Sequence, residues 1–277
     1  MGYSVFAGTM ADMTYREVEA AADRGAAVLF PVAVIEEHGP HLCLGVDAYV
    51  AYHFSARVKA ELEGRGVDSV VVPPYYWGIN HETGAFPGSF SVRPSTMKAV
   101  LVDLLASLGS WGFRRIFLLN FHGDLQHWAA LLEAVREARD THGAGVRAVL
   151  AGSDARDLGL KGDEEHILVW APLSDEQRLA VRDPEELVDL HAGAKETSFM
   201  ALNYPELVDL NLAANLAATE VRRQDVETWR RGGAAARGLA PLGYCGDPAG
   251  YDAEGFKDLE SALIELLSDA IEREVGT

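Results

Sequence analysis

The stretch Ala26-Ala27-Val28-Leu29-Phe30-Pro31-Val32-Ala33-Val34 runs straight into Ile35-Glu36-Glu37-His38-Gly39-Pro40-His41-Leu42-Cys43-Leu44-Gly45-Val46-Asp47. The first part is apolar throughout. A strand with one face in water alternates apolar and polar residues, whereas an unbroken run suits a strand covered on both faces. Such strands belong to parallel sheets packed between helices. The second part crowds carboxylates and imidazoles onto the end of that strand. Ligands of open parallel sheets gather at the strands' carboxyl ends, so one line of sequence points to both a fold and a site.

The flanking sequence agrees. Thr14 and Glu17 form a capping-box pattern that opens a helix running to about Arg24, where Gly25 ends it. Asp47 to Leu62 reads as a helix, and Val70, Val71 and Val72 as a second buried strand closed by Pro73 and Pro74. Tyr75 to Ser91 is a long loop rich in glycine and aromatic residues. Ser95 is positioned to cap a helix whose apolar stripe is Met97, Val100, Leu101, Leu104, Leu105 and Leu108. A third strand, Ile116 to Leu119, leads directly into Asn120-Phe121-His122-Gly123-Asp124. Next come a helix over Gln126–Asp140 and a fourth strand over Val146–Leu150. The βαβαβαβ order predicts an α/β fold with a mainly parallel sheet. Residues 153–190 read as a polar, irregular insertion or lid, and 191–206 and 259–274 as further helices. With no repeat and no linker, residues 1–277 read as a single domain.

Composition narrows the function. The 277 residues carry 42 Asp and Glu against 24 Lys and Arg, a net charge of −18, which argues against a nucleic-acid backbone or an anionic membrane as partner. The two cysteines, Cys43 and Cys245, make no disulfide framework. The N-terminal residues lack the pattern of a signal peptide, and no apolar run reaches the ~20 residues of a spanning helix. The expected location is the cytoplasm.

Two strand ends carry metal-binding side chains: Glu36, His38, His41 and Asp47 after the first, His122 and Asp124 after the third. Glu36/His38 and His122/Asp124 are each spaced i, i+2. In extended backbone that spacing points both side chains the same way, with Cα atoms about 6.5–7 Å apart. Each pair can then serve two ions roughly 3.5–4 Å apart. Asp47, with two carboxylate oxygens, is the natural bridge. Mixed nitrogen and oxygen donors without thiolate suit Zn²⁺ or Mn²⁺, with Fe²⁺ also possible. Cys43, between Leu42 and Leu44, reads as a packed small hydrophobe.

These residues resemble the creatininase (creatinine amidohydrolase) family. The resemblance lies in Pro31-Val32, Glu36-Glu37-His38-Gly39-Pro40-His41-Leu42, Gly45 and Asp47. It continues at Phe86-Pro87-Gly88-Ser89, Gly112-Phe113-Arg114, Asn120-Phe121-His122-Gly123, His191-Ala192-Gly193 with Glu196-Thr197-Ser198, and Gly246-Asp247-Pro248. It implies a three-layer α/β/α sandwich, commonly a homohexamer, with two divalent metal ions per subunit. By the same resemblance Glu36 and His122 serve one ion, His38 and Asp124 the other, and Asp47 both. His191 takes the place of the catalytic histidine, and Glu196 orients it or reaches a metal. The implied chemistry is attack on a carbonyl by hydroxide generated on the metals, with His191 protonating the leaving group.

The substrate implied is a small polar ring. The loop from Tyr75 to Phe90 resembles a branch that opens an oxidised cyclitol, 3-dehydro-scyllo-inosose, by C–C hydrolysis. Trp77, Asn80, His81 and Gln126 are then candidate substrate contacts, with Glu82 beside them. Cyclic-amide hydrolysis of the creatinine type and formamide hydrolysis are the alternatives. Two other readings compete. A non-catalytic metal-binding partner protein predicts missing ligands, yet all five are present. A metal-dependent role in peptide maturation predicts an open groove rather than a closed pocket.

Overall fold

The computed structural model describes residues 3–143, 145–174, 177 and 183–276. Its core is a five-stranded parallel sheet ordered β2-β1-β3-β4-β5. The strands are β1 (Ala27–Val32), β2 (Ser69–Val71), β3 (Arg115–Asn120), β4 (Gly145–Ala151) and β5 (Ile167–Ala171). β1 is buried along its whole length, as its unbroken apolar run predicts.

Successive side chains of a strand point to opposite faces, and each face has its own helices. Val28, Phe30, Ile116 and Leu118 pack into one cluster with α1 (Tyr15–Asp23), α3 (Pro94–Ser110) and α4 (Leu125–His142). Leu29, Phe117 and Leu119 pack on the other face with α2 (Val46–Gly64), α6 (Ala194–Asn203) and α10 (Ala253–Val275). This is a three-layer α/β/α arrangement. Among the described residues no helix is long and apolar enough to cross a membrane.

Local signals set most boundaries. Thr14 and Glu17 close the predicted capping box. α3, however, begins before Ser95: Arg93 is its N-cap and Pro94 occupies its first turn, where a missing N–H costs nothing. The stretch 153–190 is not simply irregular. It contains most of α5 (Gly152–Asp157) and all of β5, which extends the sheet, while residues 175, 176 and 178–182 lie outside the described part. Beyond α6 come the short helices α7 (Leu210–Ala213), α8 (Val226–Arg230) and α9 (Gly233–Leu239).

The strand order reverses at β1: β2 lies on one side of it and β3 on the other. A crevice at such a reversal is the usual ligand position in an open α/β sheet. Val32 pairs with Asn120 at this point, so the polar segments after β1 and β3 leave the sheet side by side.

Candidate metal centre

The loop after β1 doubles back, with the Glu36 amide donating to the Leu44 carbonyl, and this brings the first turn of α2 against the strand end. Asp47 sits in that turn, where the helix dipole favours a negative charge. The segment after β3 supplies His122, and α6 supplies Glu196 in its own first turn. Segments distant in sequence therefore meet in one buried cluster. Glu36, His38, Asp47 and His122 are all less than a tenth exposed.

The donor atoms form overlapping groups. Glu36, Asp47 and His122 offer atoms within 4.8 Å of one another, as do His38, Asp47 and Glu196, and Glu36, His38 and His191. Asp47 is shared by the first two groups. Its Oδ1 lies 3.4 Å from His38 Nε2, and its Oδ2 lies 3.2 Å from His122 Nδ1. Glu36 Oε1 is 3.1 Å from His122 Nδ1, and Glu196 Oε2 is 3.9 Å from His38 Nε2.

The far side of each ring is fixed. His38 Nδ1–H donates to the Glu36 carbonyl at 3.2 Å, and His122 Nε2–H to the Ile79 carbonyl at 3.0 Å. Each imidazole is thereby held with its other nitrogen toward the cluster, the arrangement by which outer partners orient metal-binding histidines. Thr83 donates its hydroxyl to Glu36 Oε2. His38 Nε2 and Asp47 Oδ2 are buried with no hydrogen-bond partner among the described residues. Buried polar atoms are rarely left so, and these point at a common space. The donor set fits a pair of divalent cations.

The charges respond to this crowding. Burial favours the neutral form of every group here, but the imidazoles hold Asp47 well below the usual carboxylate range. Burial lowers the His38 and His122 pKa values, yet the carboxylates, Asp47 beside His38 and Glu36 with Asp47 beside His122, outweigh it and both end raised.

His191 lies over this cluster. Its Nε2–H donates to the Glu37 carbonyl at 2.8 Å, and its Nδ1 lies 3.8 Å from Glu36 Oε1. Burial lowers its pKa, but Glu36 and Glu37 push it up to about 10. Its ring packs 4.4 Å from His38 and 5.6 Å from Trp229. The next residue, Ala192, has φ +50°, a conformation L residues seldom adopt. A cavity of about 170 Å³ opens above these groups, walled by Phe121, Leu190 and Trp229 and by the polar side chains of Glu82 and Thr83. Burial and the neighbouring Asp124 push Glu82 up to about 7.

Several expected residues stand outside the donor groups. Asp124 lines the cavity, but its oxygens are engaged by the backbone, and it belongs to none of the three donor groups. Oδ1 accepts the Gln126 and His127 amides and caps α4; Oδ2 accepts the His81 and Glu82 amides. Glu196 Oε2, 3.9 Å from His38 Nε2, likewise accepts a backbone amide, that of Ala192. Of the four expected substrate contacts none lines the cavity. Trp77 is 48% exposed, edge-on to Phe90. Asn80 is buried and donates to the Ile35 and Phe90 carbonyls, so it ties loops together. His81 and Gln126 are exposed. A loop's composition reports which groups it holds but not their direction, and here the turn spends these on the surface or on backbone. Trp229 and Thr83 face the cavity instead. Trp229 follows His191 only after a long segment, and nothing in its local sequence marks it.

Asp124→Ala removes acceptors from four backbone amides at once. Loss of the cap and of charge-assisted hydrogen bonds is expected to lower stability by roughly 2–4 kcal/mol, read from urea unfolding. Metal content is expected to match that of the unaltered protein, read from metal analysis of the folded variant.

A family model described as "Creatininase: Creatinine amidohydrolase" matches residues 11–271. The chain is 28% identical over 249 residues to a protein named "Mycofactocin precursor peptide peptidase" from Mycolicibacterium smegmatis, covering 89% of this chain and 84% of that one. It is 28% identical over 221 residues to "Creatinine amidohydrolase" of Pseudomonas putida, covering 76% of each. A shorter match, 26% over 114 residues, is to "3-dehydro-scyllo-inosose hydrolase" of Thermotoga maritima, covering 40% of this chain and 35% of that one. The solved structure titled "Creatininase Mn" superposes with a TM-score of 0.71 at 22% identity, covering 98% of this chain and 99% of its own.

Proposed function

The chain belongs to the creatininase family, a family of metal-dependent hydrolases, and from that premise we propose that it cleaves an amide C–N bond of a small polar substrate at two divalent ions. The observation that carries this reading is Asp47, whose two oxygens face different histidines, each turned inward by a hydrogen bond on its far nitrogen. Glu36 and His122 would hold one ion and His38 and Glu196 the other, with Asp47 common to both donor groups. The donors suit Mn²⁺ or Zn²⁺, and a relative of this fold is titled with manganese. When bound, such a pair acidifies water and polarises a carbonyl.

The chain's own residues supply the rest. Thr83 keeps Glu36 aimed at the ion side. Trp229 and Phe121 wall the cavity and limit water, which strengthens every charge inside it. Glu82, facing the cavity, accepts a hydrogen bond from a substrate N–H or O–H. His191 carries its transferable proton at Nδ1, because Nε2 is committed to the Glu37 carbonyl. Amide cleavage is favoured over ring-ketone opening because relatives matched over most of their length are named as a peptidase and an amidohydrolase. Ring-ketone opening is the second reading, supported by the shorter match to the inosose hydrolase and by the polar Glu82–Thr83 wall.

Calorimetric titration of the metal-free protein with Mn²⁺ tests the centre. Two ions are expected per chain. Raised pKa values favour the protonated forms of His38 and His122 without metal, so metal binding displaces protons. Affinity therefore falls with falling pH, about tenfold per unit for each proton displaced. The released protons appear as a dependence of the measured heat on buffer. One ion per chain, or none, would overturn the dinuclear reading.

A further inference from the structure

Glu36, Asp47, Glu82, Asp124 and Glu196 line the metal cavity, and four of these five carboxylates are already committed. Glu36, Asp47 and Glu196 belong to the donor groups. Asp124 accepts four backbone amides. The Glu82 carboxylate belongs to no donor group and has no hydrogen-bond partner among the described residues. The charge of Arg230 acts on it, but that guanidinium is paired with Glu227 at 3.0 Å and Asp157 at 3.5 Å.

The backbone that carries Glu82 is held from several sides. The His81 and Glu82 amides donate to Asp124 Oδ2 at 2.7 and 3.1 Å, and Thr83 donates its hydroxyl to Glu36. Arg237 of α9 donates to the Ala85 carbonyl at 2.7 Å. Gly232, at φ +66°, has no room for a side chain, because a Cβ there would stand 2.2 Å from the His81 carbonyl oxygen. Gly232 follows α8, so this close approach sets the Glu82 loop against the helix that carries Trp229. A loop so fixed needs no reordering when a ligand arrives. Burial and the neighbouring Asp124 make an unpaired charge on Glu82 costly, the condition in which a partner cation contributes most.

We propose that Glu82 is a specificity-determining residue, selecting substrates that carry a protonated amine within a few bonds of the amide cleaved at the metals. The proposal rests on the metal-dependent amidase reading above and narrows its small polar substrate. A hydroxyl would also bond to the carboxylate, but an ammonium neutralises its charge as well. Phe121, Leu190 and Trp229 offer no counter-charge and keep bulk water from screening the pair. A cavity of about 170 Å³ keeps the amine close to the reacting carbonyl. A carboxylate on the substrate would instead meet Glu82 as a like charge and be rejected.

The test measures binding of two hydroxamates, a group that chelates divalent cations, to the Mn²⁺-loaded protein. 3-Aminopropanohydroxamate carries an ammonium where butanohydroxamate, of the same shape, carries a methyl group. The amino compound is expected to bind about 10- to 100-fold more tightly, the increment of a charge-assisted hydrogen bond shielded from water. Glu82→Gln, which keeps the shape and removes the charge, is expected to bring the ratio between the two below about twofold. Should that variant bind neither compound, Glu82→Ala takes its place with the same expectation. Equal binding of the two compounds by the unaltered protein overturns the proposal, and so does a preference that survives the substitution, which would trace to the amine reaching a metal. If both variants lose both compounds alike, Glu82 supports the metal centre rather than selecting the substrate, and the proposal falls. Failure of both compounds to bind the unaltered protein overturns the metal reading itself, a distinct result.

Discussion

Replacing Asp47 with alanine is expected to lower kcat/KM by at least about 10⁴-fold and to reduce bound metal from two ions to fewer than one. The size of the loss comes from sharing. In the proposed arrangement every other donor serves one ion, whereas Asp47 places Oδ1 3.4 Å from the His38 nitrogen and Oδ2 3.2 Å from the His122 nitrogen. Its removal would take an oxygen from both proposed ions and delete the negative charge that would let two dications lie close together. Loss of positioned electrostatic stabilisation alone is worth about 10²- to 10³-fold, and here the water-activating ions leave as well. The fold should survive, because Asp47 lies at a helix start whose packing is carried by Val46, Phe54, Val58 and Leu62. The checks are metal analysis, far-ultraviolet circular dichroism and amide turnover on the same preparation. Two retained ions with an intact fold would remove the bridge from the mechanism.

That these residues converge could be anticipated for a physical reason. A doubly covered parallel strand must be apolar along its length, so β1, β3 and β4 stand out, and the segments leaving their carboxyl ends must lie at one edge of the sheet. Glu36, His38 and His122 were legible because they come directly after such strands. β5 was not legible: it is an edge strand, half-buried along most of its length, inside a charged stretch. Asp124 also carried a helix-capping signal. An aspartate immediately before a helical pattern is a preferred N-cap, and in the fold its carboxylate does cap α4. The part played by Glu196 depends on how α6 docks across the sheet from α2, and no local pattern encodes that. The substrate contacts were least legible of all, since Trp77 and Trp229 differ only in where tertiary packing sends them.

The second large effect concerns His191. Its replacement by asparagine is expected to lower kcat by about 10²- to 10⁴-fold, the usual worth of a positioned general acid, with both ions still bound. The geometry makes it an acid rather than a base. Nε2–H is fixed on the Glu37 carbonyl, and Nδ1 faces the cavity near Glu36. Surrounding carboxylates push its pKa up to about 10, so it stands protonated at neutral pH. With cations held by Glu36 and Glu196 that support would weaken, and the proton would become easier to give. An amide needs this help because an amine is a poor leaving group until protonated. The dependence on leaving group is therefore the decisive measurement. For an anilide the loss should be near its full size, and for the corresponding para-nitroanilide, whose amine leaves more readily, it should shrink by about tenfold or more. A residue that only held the pocket's shape would cost both substrates equally. Equal losses across that pair would assign His191 to packing against His38 and Trp229, and leave proton delivery to another group.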